Sequence, residues 1–227
     1  MRLENIPSKS FDLADDRELE GIRTDFSTPV AHSTLYRVWK RSFDVFVSVL
    51  LLPLVAVVAL LLLMFNAVCN RGPVFFVQPR MGRDCKAFAA IKFRTMLPAP
   101  RITRGHDDPI ETHRITMLGG FLRKSRIDEL PQVINVLRGE MSLIGPRPDY
   151  FHHARKYMRQ VPGYRARHQI RPGISGLAQT ELGYANGVEA TRAKVRADIY
   201  YIENASFGLD GYILYRTLIT VFGFRGS

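Results

Sequence analysis

The sequence has few cysteines and none of the common nucleotide- or metal-binding motifs. Of its 227 residues only Cys69 and Cys85 carry thiols, and they form no C-x-x-C pair. This excludes a disulfide-stabilised miniprotein and a cysteine zinc site, and it is typical of two reduced thiols. The sequence also lacks H-E-x-x-H, G-x-x-x-x-G-K-[ST], G-x-S-x-G and D-x-D. A P-loop NTPase and an α/β-hydrolase are therefore not indicated, and a metal-chelating glycosyltransferase of the usual kind is disfavoured.

Charged residues are missing from Val45 to Asn70, a run longer than the roughly 18 apolar residues that distinguish a membrane segment from a buried core helix. An acidic leader precedes this run, so it does not resemble a cleavable signal peptide. Pro53 lies inside the run, where it removes a helical hydrogen bond. Basic residues lie on both sides: Lys40 and Arg41 before it, Arg71 and Arg80 after it. Since basic flanks prefer the cytoplasm, we expect a helix broken at Pro53 that enters one leaflet and returns. A proline-kinked spanning helix is the open alternative.

The charge is unevenly distributed along the chain. The first 36 residues contain four basic and seven acidic side chains, whereas the whole chain has a net charge of +11, so the remainder carries +14. A body this basic is typical of a protein that binds a polyanion, an anionic membrane surface or a phosphate-rich substrate. With 46% hydrophobic residues the chain can bury a core, which excludes a disordered or collagen-like chain.

The remaining pattern predicts an α+β fold, mainly helical, with a small β-hairpin. Strands are expected from Val74 to Gln78 and from Phe88 to Met96, and helices over residues 115–124, from about 128 to 139, and over 189–203. We divide the chain into a flexible acidic tail (1–36), a basic-flanked membrane helix (37–70) and a catalytic domain (71–227). The last part ends in an amphipathic aromatic segment over residues 209–224, which suits the core or a membrane interface equally.

Two adjacent carboxylates, Asp128 and Glu129, precede Pro131 at the expected start of a helix. Helix capping is the commoner use of such residues. An ionised aspartate at a helix start can also attack phosphorus when Mg²⁺ offsets the charge, and Mg²⁺ accepts one or two carboxylates. Arg147 lies between two prolines and Arg171 precedes Pro172-Gly173, so both have restricted backbones suited to bidentate phosphate contacts. Together these residues indicate phosphate chemistry at a membrane.

Six motifs occur in the order seen in bacterial sugar transferases. They are Lys40-Arg41-Ser42-Phe43-Asp44, Lys92-Phe93-Arg94-Thr95-Met96, Asp128-Glu129-Leu130-Pro131-Gln132, Gly145-Pro146-Arg147-Pro148, Arg171-Pro172-Gly173-Ile174-Ser175-Gly176 and Asp198-Ile199-Tyr200-Tyr201. The chain therefore resembles a small monotopic phosphoglycosyl transferase over about residues 37–224.

The resemblance implies transfer of a sugar 1-phosphate from a UDP-sugar to polyprenol phosphate, with release of UMP, in exopolysaccharide, O-antigen or related glycan assembly. It implies Asp128 as nucleophile and Mg²⁺ ligand, and Glu129 as its dyad partner. Substrate-binding positions are Lys92, Arg94, Arg147, Arg171 and Asp198, and the membrane anchor includes Lys40, Arg41 and Pro53. The implied location is the cytosolic face of the bacterial inner membrane. The expected partners include anionic lipids and no nucleic acid, and a homo-oligomer is left open.

Two features depart from the family pattern. Leu52 precedes Pro53 where the family often has serine, and Ser48 lies one turn earlier, which affects the expected geometry of the break. The acidic tail is an addition relative to the shortest members of the family.

Two other functions are also consistent with parts of the sequence: a lipid-acceptor glycosyltransferase that releases UDP, and a non-enzymatic membrane-tethered basic module. The second leaves the dyad and the two constrained arginines unexplained. The sugar is not identified by the sequence.

Overall fold

The computed structural model describes residues 33–69, 72–98, 111–182 and 188–223. Most of the predicted acidic tail lies outside the described residues. The helices are α1 (Thr34–Cys69), α2 (Met117–Lys124), α3 (Gln132–Leu137), α4 (Phe151–Gln160), α5 (Leu177–Glu181), α6 (Val188–Asn204) and α7 (Phe207–Phe222). The strands are β1 (Phe75–Met81), β2 (Ala87–Phe93), β3 (Ser142–Ile144) and β4 (Gly173–Ser175). Short 3₁₀ turns lie at Arg83–Cys85, Thr112–Arg114, Ile127–Glu129 and Tyr164–His168.

Helix α1 contains the long apolar run. Its residues Thr34–Asn66 are long and apolar enough to cross a membrane, and only 17% of the most apolar stretch is buried inside the protein. The predicted interruption at Pro53 is wrong in one respect, because the helix continues through this residue. A proline without an N–H loses one hydrogen bond, but the residues around it retain helical geometry. Ser48 is completely buried, and its hydroxyl makes no hydrogen bond within the described part of the chain.

The predicted hairpin is confirmed. Strands β1 and β2 are antiparallel, with Phe75 opposite Phe93 and Met81 opposite Ala87. Strand β2 ends at Phe93, before the predicted end at Met96, because Met96 instead forms an isolated bridge with Ile115. This bridge leads the chain into α2, whose first turn is capped by Thr116.

The chain changes direction immediately before the carboxylate pair. Arg126 adopts a left-handed conformation with φ of 58° between α2 and a 3₁₀ turn. That turn, Ile127–Glu129, contains both Asp128 and Glu129, and α3 begins only after Pro131. The prediction that Asp128 starts the helix is therefore wrong. The physical reason is that Pro131 caps α3 itself, and the acids form a separate turn.

A second, smaller sheet supports the loops that follow. Strands β3 and β4 are parallel, with Ser142 opposite Gly173 and Ile144 opposite Ser175. The backbones cross so closely that a Cβ atom on Gly173 would lie 2.1 Å from the backbone nitrogen of Gly145. Only glycine fits at such an approach, which explains the glycines of both loop motifs.

Helix α6 confirms the predicted helix over residues 189–203, and α7 covers most of the aromatic segment predicted after it. Leu209 and Ile213 of α7 are buried, while Tyr215 and Phe222 are exposed. One face of α7 thus packs on the core, and the other remains available to a membrane interface.

One face of α1 belongs to the core of the protein. Val55 and Leu62 are buried in a cluster with Phe93, Leu122 and Val133, which come from β2, α2 and α3. The opposite face of α1 exposes large apolar side chains, among them Phe46, Leu50, Val57, Leu60, Leu63 and Met64. The helix therefore packs on the core through a narrow face, while most of its apolar stretch is exposed.

The basic residues expected to anchor α1 at the membrane bind protein groups. Lys40 Nζ lies 2.9 Å from Asp210 Oδ2 of α7. Arg41 donates to the carbonyl oxygens of Val136 (2.8 Å) and Leu137 (3.2 Å), at the end of α3. A buried carboxylate and helix-end carbonyl groups thus bind Lys40 and Arg41, which tie α1 to the rest of the protein, and their predicted part in the membrane anchor stays a prediction.

Candidate active site

Glu129 is the centre of a buried cluster of charges. Its carboxylate accepts a hydrogen bond from Lys92 Nζ at 2.7 Å and from Arg147 Nη1 at 2.9 Å, and Arg147 Nη2 makes a second contact. The residue is 4% exposed. Burial alone would raise the pKa of Glu129, but Arg147 and Lys92 hold that pKa well below its usual range. Glu129 is therefore ionised and holds two cations in fixed positions.

Asp128 lies beside this cluster but does not take part in its hydrogen bonds and ion pairs, as far as the described residues show. The carboxylate is 8% exposed, and within the described ranges it accepts no hydrogen bond and forms no ion pair. Burial, followed by the negative charge of Glu129, raises the pKa of Asp128 to about 6, and Lys92 and Arg147 lower it only in part. A buried carboxylate without partners is costly to a fold and is the form expected of a group kept for a ligand.

Lys92 approaches the pair from β2. Burial lowers the pKa of its ammonium group, and Glu129 opposes this effect. It gives one hydrogen bond to Glu129 and, among the residues the structure describes, no other. Two of its three ammonium hydrogens therefore remain for another acceptor.

Arg147 is held by its own backbone as well as by Glu129. Gly173 N–H donates to the carbonyl oxygen of Pro146 at 2.9 Å, Arg167 to that of Arg147 at 2.7 Å, and Arg80 to that of Pro148 at 2.5 Å. Three consecutive carbonyl groups are thus bound by separate elements. The backbone between the two prolines is thus held by several contacts, and the Arg147 guanidinium of this loop binds Glu129.

Asp198 has a different position from the one expected of a substrate contact. It is 0% exposed and lies 2.7 Å from Arg167 Nη2. Arg167 also contacts Asp149, to which Lys194 and Tyr164 donate hydrogen bonds. Burial alone would raise the pKa of Asp149, but Lys194 and Arg167 hold it below its usual range. Asp198 therefore acts through Arg167 on the Arg147 loop and has no surface for a ligand.

Arg94 and Arg171 are not brought to Glu129 by any contact within the described segments. Arg94 Nε donates a hydrogen bond to the carbonyl oxygen of Pro73 at 2.7 Å, in the segment between α1 and β1. Arg171 Nε donates to Gly139 at 2.8 Å, and burial followed by the charges of Arg83 and Arg41 lowers its pKa. Their predicted contacts with substrate stay predictions.

The donor set suits one Mg²⁺ ion shared with a phosphate ligand. The described residues contain no group of three or more His, Cys, Asp or Glu side chains that could hold a metal by themselves. Mg²⁺ commonly binds through one or two carboxylates, with phosphate oxygens and water completing its shell. The oxygens of Asp128, which have no partner in the described part of the chain, fit such an ion, whereas those of Glu129 are occupied by Lys92 and Arg147.

A family model described as bacterial sugar transferase matches residues 35–224, which include every motif and every residue of the charge cluster. The chain belongs to the bacterial sugar transferase family. The resemblance inferred from the six motifs is thereby confirmed.

Three relatives have informative names. A UDP-N-acetylgalactosamine-undecaprenyl-phosphate N-acetylgalactosaminephosphotransferase from Aeromonas hydrophila is 40% identical over 85% of this chain and 46% of its own length. A UDP-glucose:undecaprenyl-phosphate glucose-1-phosphate transferase from Klebsiella pneumoniae is 37% identical over 82% of this chain and 40% of its own length. The exopolysaccharide production protein PSS from Rhizobium leguminosarum bv. phaseoli is 37% identical over 81% of this chain and 94% of its own length. The chain thus spans less than half of the first two relatives and nearly all of the third.

Sequence reasoning missed two contributors to the site. Asp149 directly follows the Gly-Pro-Arg-Pro loop and is the one with a local signal. Arg167 lies 20 residues from Arg147, to whose carbonyl oxygen it donates a hydrogen bond. No spacing rule for a single helix or strand connects such a pair.

Proposed function

We propose that this chain transfers a sugar 1-phosphate from a UDP-sugar to polyprenol phosphate and releases UMP. The observation that carries the proposal is the asymmetry of the carboxylate pair: Glu129 is occupied by Lys92 and Arg147, while Asp128 beside it is buried and has no hydrogen bond or ion pair with any residue that the structure describes. The relatives named as undecaprenyl-phosphate sugar phosphotransferases support the class of donor and acceptor. Exopolysaccharide or related glycan assembly is the pathway class that we propose.

In the first step, an Asp128 carboxylate oxygen attacks the phosphorus that carries the sugar. The bond from oxygen to that phosphorus forms, the bond from the phosphorus to the bridging oxygen of the diphosphate breaks, and UMP leaves with the bonding pair. In the second step, a phosphate oxygen of polyprenol phosphate attacks the same phosphorus and displaces Asp128. The product is a polyprenyl diphosphate sugar, and Asp128 is returned as a carboxylate.

The neighbouring residues position and neutralise the reacting groups. Lys92 offers its two remaining ammonium hydrogens to phosphate oxygens, and Glu129 keeps Lys92 and Arg147 in place before substrate arrives. Such preorganised charge is the main source of catalysis in phosphoryl transfer. A bound Mg²⁺ on Asp128 would supply further neutralisation of the phosphate charge.

We also propose that α1 enters the bacterial inner membrane from the cytosolic side and returns to it. Three observations support this path: Pro53, which removes one hydrogen bond so that the continuous helix can bend there, the large exposed apolar face of α1, and the contacts of Lys40 and Arg41 with the rest of the protein. Anionic lipids would then surround the exposed basic residues.

The test measures the nucleotide released by the full chain in nanodiscs supplied with a panel of UDP-sugars, Mg²⁺ and polyprenol phosphate. UMP from the wild type, none from Asp128→Asn and unchanged UMP from Asp84→Asn, an exposed acid on the hairpin turn, would support the proposal. Release of UDP would instead identify a glycosyltransferase that moves the sugar alone. The absence of both nucleotides with every donor would favour a binding module. The panel also identifies the sugar.

A further inference from the structure

Asn135 is a completely buried polar residue of α3 that bridges to the hairpin. Its Oδ1 accepts the N–H of Ile91 at 3.0 Å, and its Nδ2 donates to the carbonyl oxygen of Ala89 at 2.8 Å. These backbone groups lie on the outer edge of β2, because β1 occupies the other edge, with Gln78 opposite Ala90. The side-chain amide of Asn135 therefore pairs with β2 as the backbone N–H and C=O of one residue in an additional strand would.

Glu140 determines the orientation of that amide. Its Oε2 accepts the second N–H of Asn135 Nδ2 at 2.7 Å. Because an ionised carboxylate only accepts hydrogen bonds, the amide nitrogen must face Glu140 and Ala89, and the amide oxygen must face Ile91. Both N–H groups of the Asn135 side chain thus donate hydrogen bonds. A side chain without two such donors cannot make the same contacts.

The two segments joined by Asn135 carry the two halves of the buried ion pair. Lys92 directly follows Ile91 on β2, and its Nζ lies 2.7 Å from Glu129 in the turn that leads into α3. We infer that Asn135 is a positioning residue for Lys92: by holding the edge of β2 against α3, it places the Lys92 ammonium group on Glu129, beside Asp128. The consequence for catalysis rests on the proposed function, whereas the positioning itself does not.

The positioning is tested without any activity assay. The full chain in nanodiscs is treated with a limiting amine-acylating reagent, and the labelling of Lys92 is compared with that of the exposed Lys86 by mass spectrometry. Asn135→Ala should increase the relative labelling of Lys92 several-fold. Val136→Ala, a control at the neighbouring and equally buried position, should leave it unchanged. Equal labelling in the wild type and in Asn135→Ala would overturn the inference.

A second pair of variants serves if Asn135→Ala does not fold. Asn135→Asp places a carboxylate against the carbonyl oxygen of Ala89 and the carboxylate of Glu140, and should expose Lys92 to labelling. Adding Glu140→Gln supplies an amide donor at that position and should restore part of the protection. If the double variant labels Lys92 as strongly as Asn135→Asp alone, the amide network does not position Lys92.

A double-mutant cycle on kcat/KM separates positioning from general stability. If Asn135 acts through Lys92, the variant carrying Asn135→Ala and Lys92→Met should be within about twofold of Lys92→Met alone, because contacting or coupled residues are not additive. Val136→Ala should lower kcat/KM by the same factor whether residue 92 is lysine or methionine. Full additivity for Asn135→Ala would refute the inference. If Lys92→Met leaves transfer unchanged, the proposed role of Lys92 is wrong, and the labelling result alone decides the role of Asn135.

Discussion

Replacing Asp128 by asparagine should stabilise the protein while it removes transfer activity. Burial raises the pKa of Asp128 from 3.8 to about 6, so the folded state binds a proton more tightly than the unfolded state does. Above pH 6 the ionised carboxylate therefore weakens the fold. The difference of about two pH units corresponds to a destabilisation on the order of 3 kcal/mol. Asparagine keeps the shape of the side chain and removes this charge. The gain in stability of Asp128→Asn over wild type should therefore be complete above pH 6 and absent below the pKa of Asp128 in the unfolded chain, 3.8.

The assay is thermal unfolding of wild type and Asp128→Asn in the same detergent with EDTA, so that no divalent cation offsets the carboxylate. For a chain of this length, 3 kcal/mol corresponds to an increase in Tm of about 6 to 12 °C at pH 8. At pH 3.5 the two proteins should unfold at the same temperature. The exposed control Asp84→Asn should show no difference at either pH. A lower Tm for Asp128→Asn than for wild type at pH 8, or an equal increase in Tm at pH 8 and pH 3.5, would refute the reasoning.

Three further outcomes are expected. Glu129→Gln should lower the free energy of unfolding by roughly 3–5 kcal/mol in denaturant titrations, because it leaves Lys92 and Arg147 buried without a full counter-charge, and an unchanged midpoint would contradict this. Burial, followed by Arg167, lowers the pKa of His168 to about 3, so His168 binds its proton more weakly in the folded than in the unfolded chain. The contribution of His168 to stability should therefore fall by about 1.4 kcal/mol per pH unit as the pH decreases below 6.5, and the Tm of wild type should fall relative to that of His168→Gln over this range; a constant difference in Tm would contradict this. In a background without Cys69 and Cys85, Ser33→Cys and Lys86→Cys should both react with a membrane-impermeant maleimide in inverted vesicles and not in intact cells, whereas a spanning α1 would expose one of them on each side.

Local features of this fold follow directly from the sequence. The hairpin is visible because strand residues alternate around a glycine turn, and the helix over residues 189–203 is visible in its periodicity. The loop around Arg147 is visible because two prolines restrict it. These predictions rest on interactions between neighbours in the sequence, and such interactions need no knowledge of the tertiary fold.

The contacts that the sequence does not show join residues that are distant along the chain. Lys40 lies 170 residues from Asp210, its partner. Asp198 lies 31 positions from its counter-charge, Arg167. Both are charged residues whose role depends on what the fold brings to them. The pattern identified them as important but could not identify the partner.

The contacts of α1 connect the placement of this helix in a membrane with the packing of the turn that contains Asp128. Val55 and Leu62 fill the same cluster as Leu122 and Val133, which flank the turn of Asp128. A version cut after Cys69 to obtain a water-soluble enzyme would therefore have an open groove under its catalytic turn. Bilayer thickness and detergent choice, which tilt such a helix, would act directly on the spacing of the reacting groups. For this protein the lipid environment is part of the folding conditions of the active site.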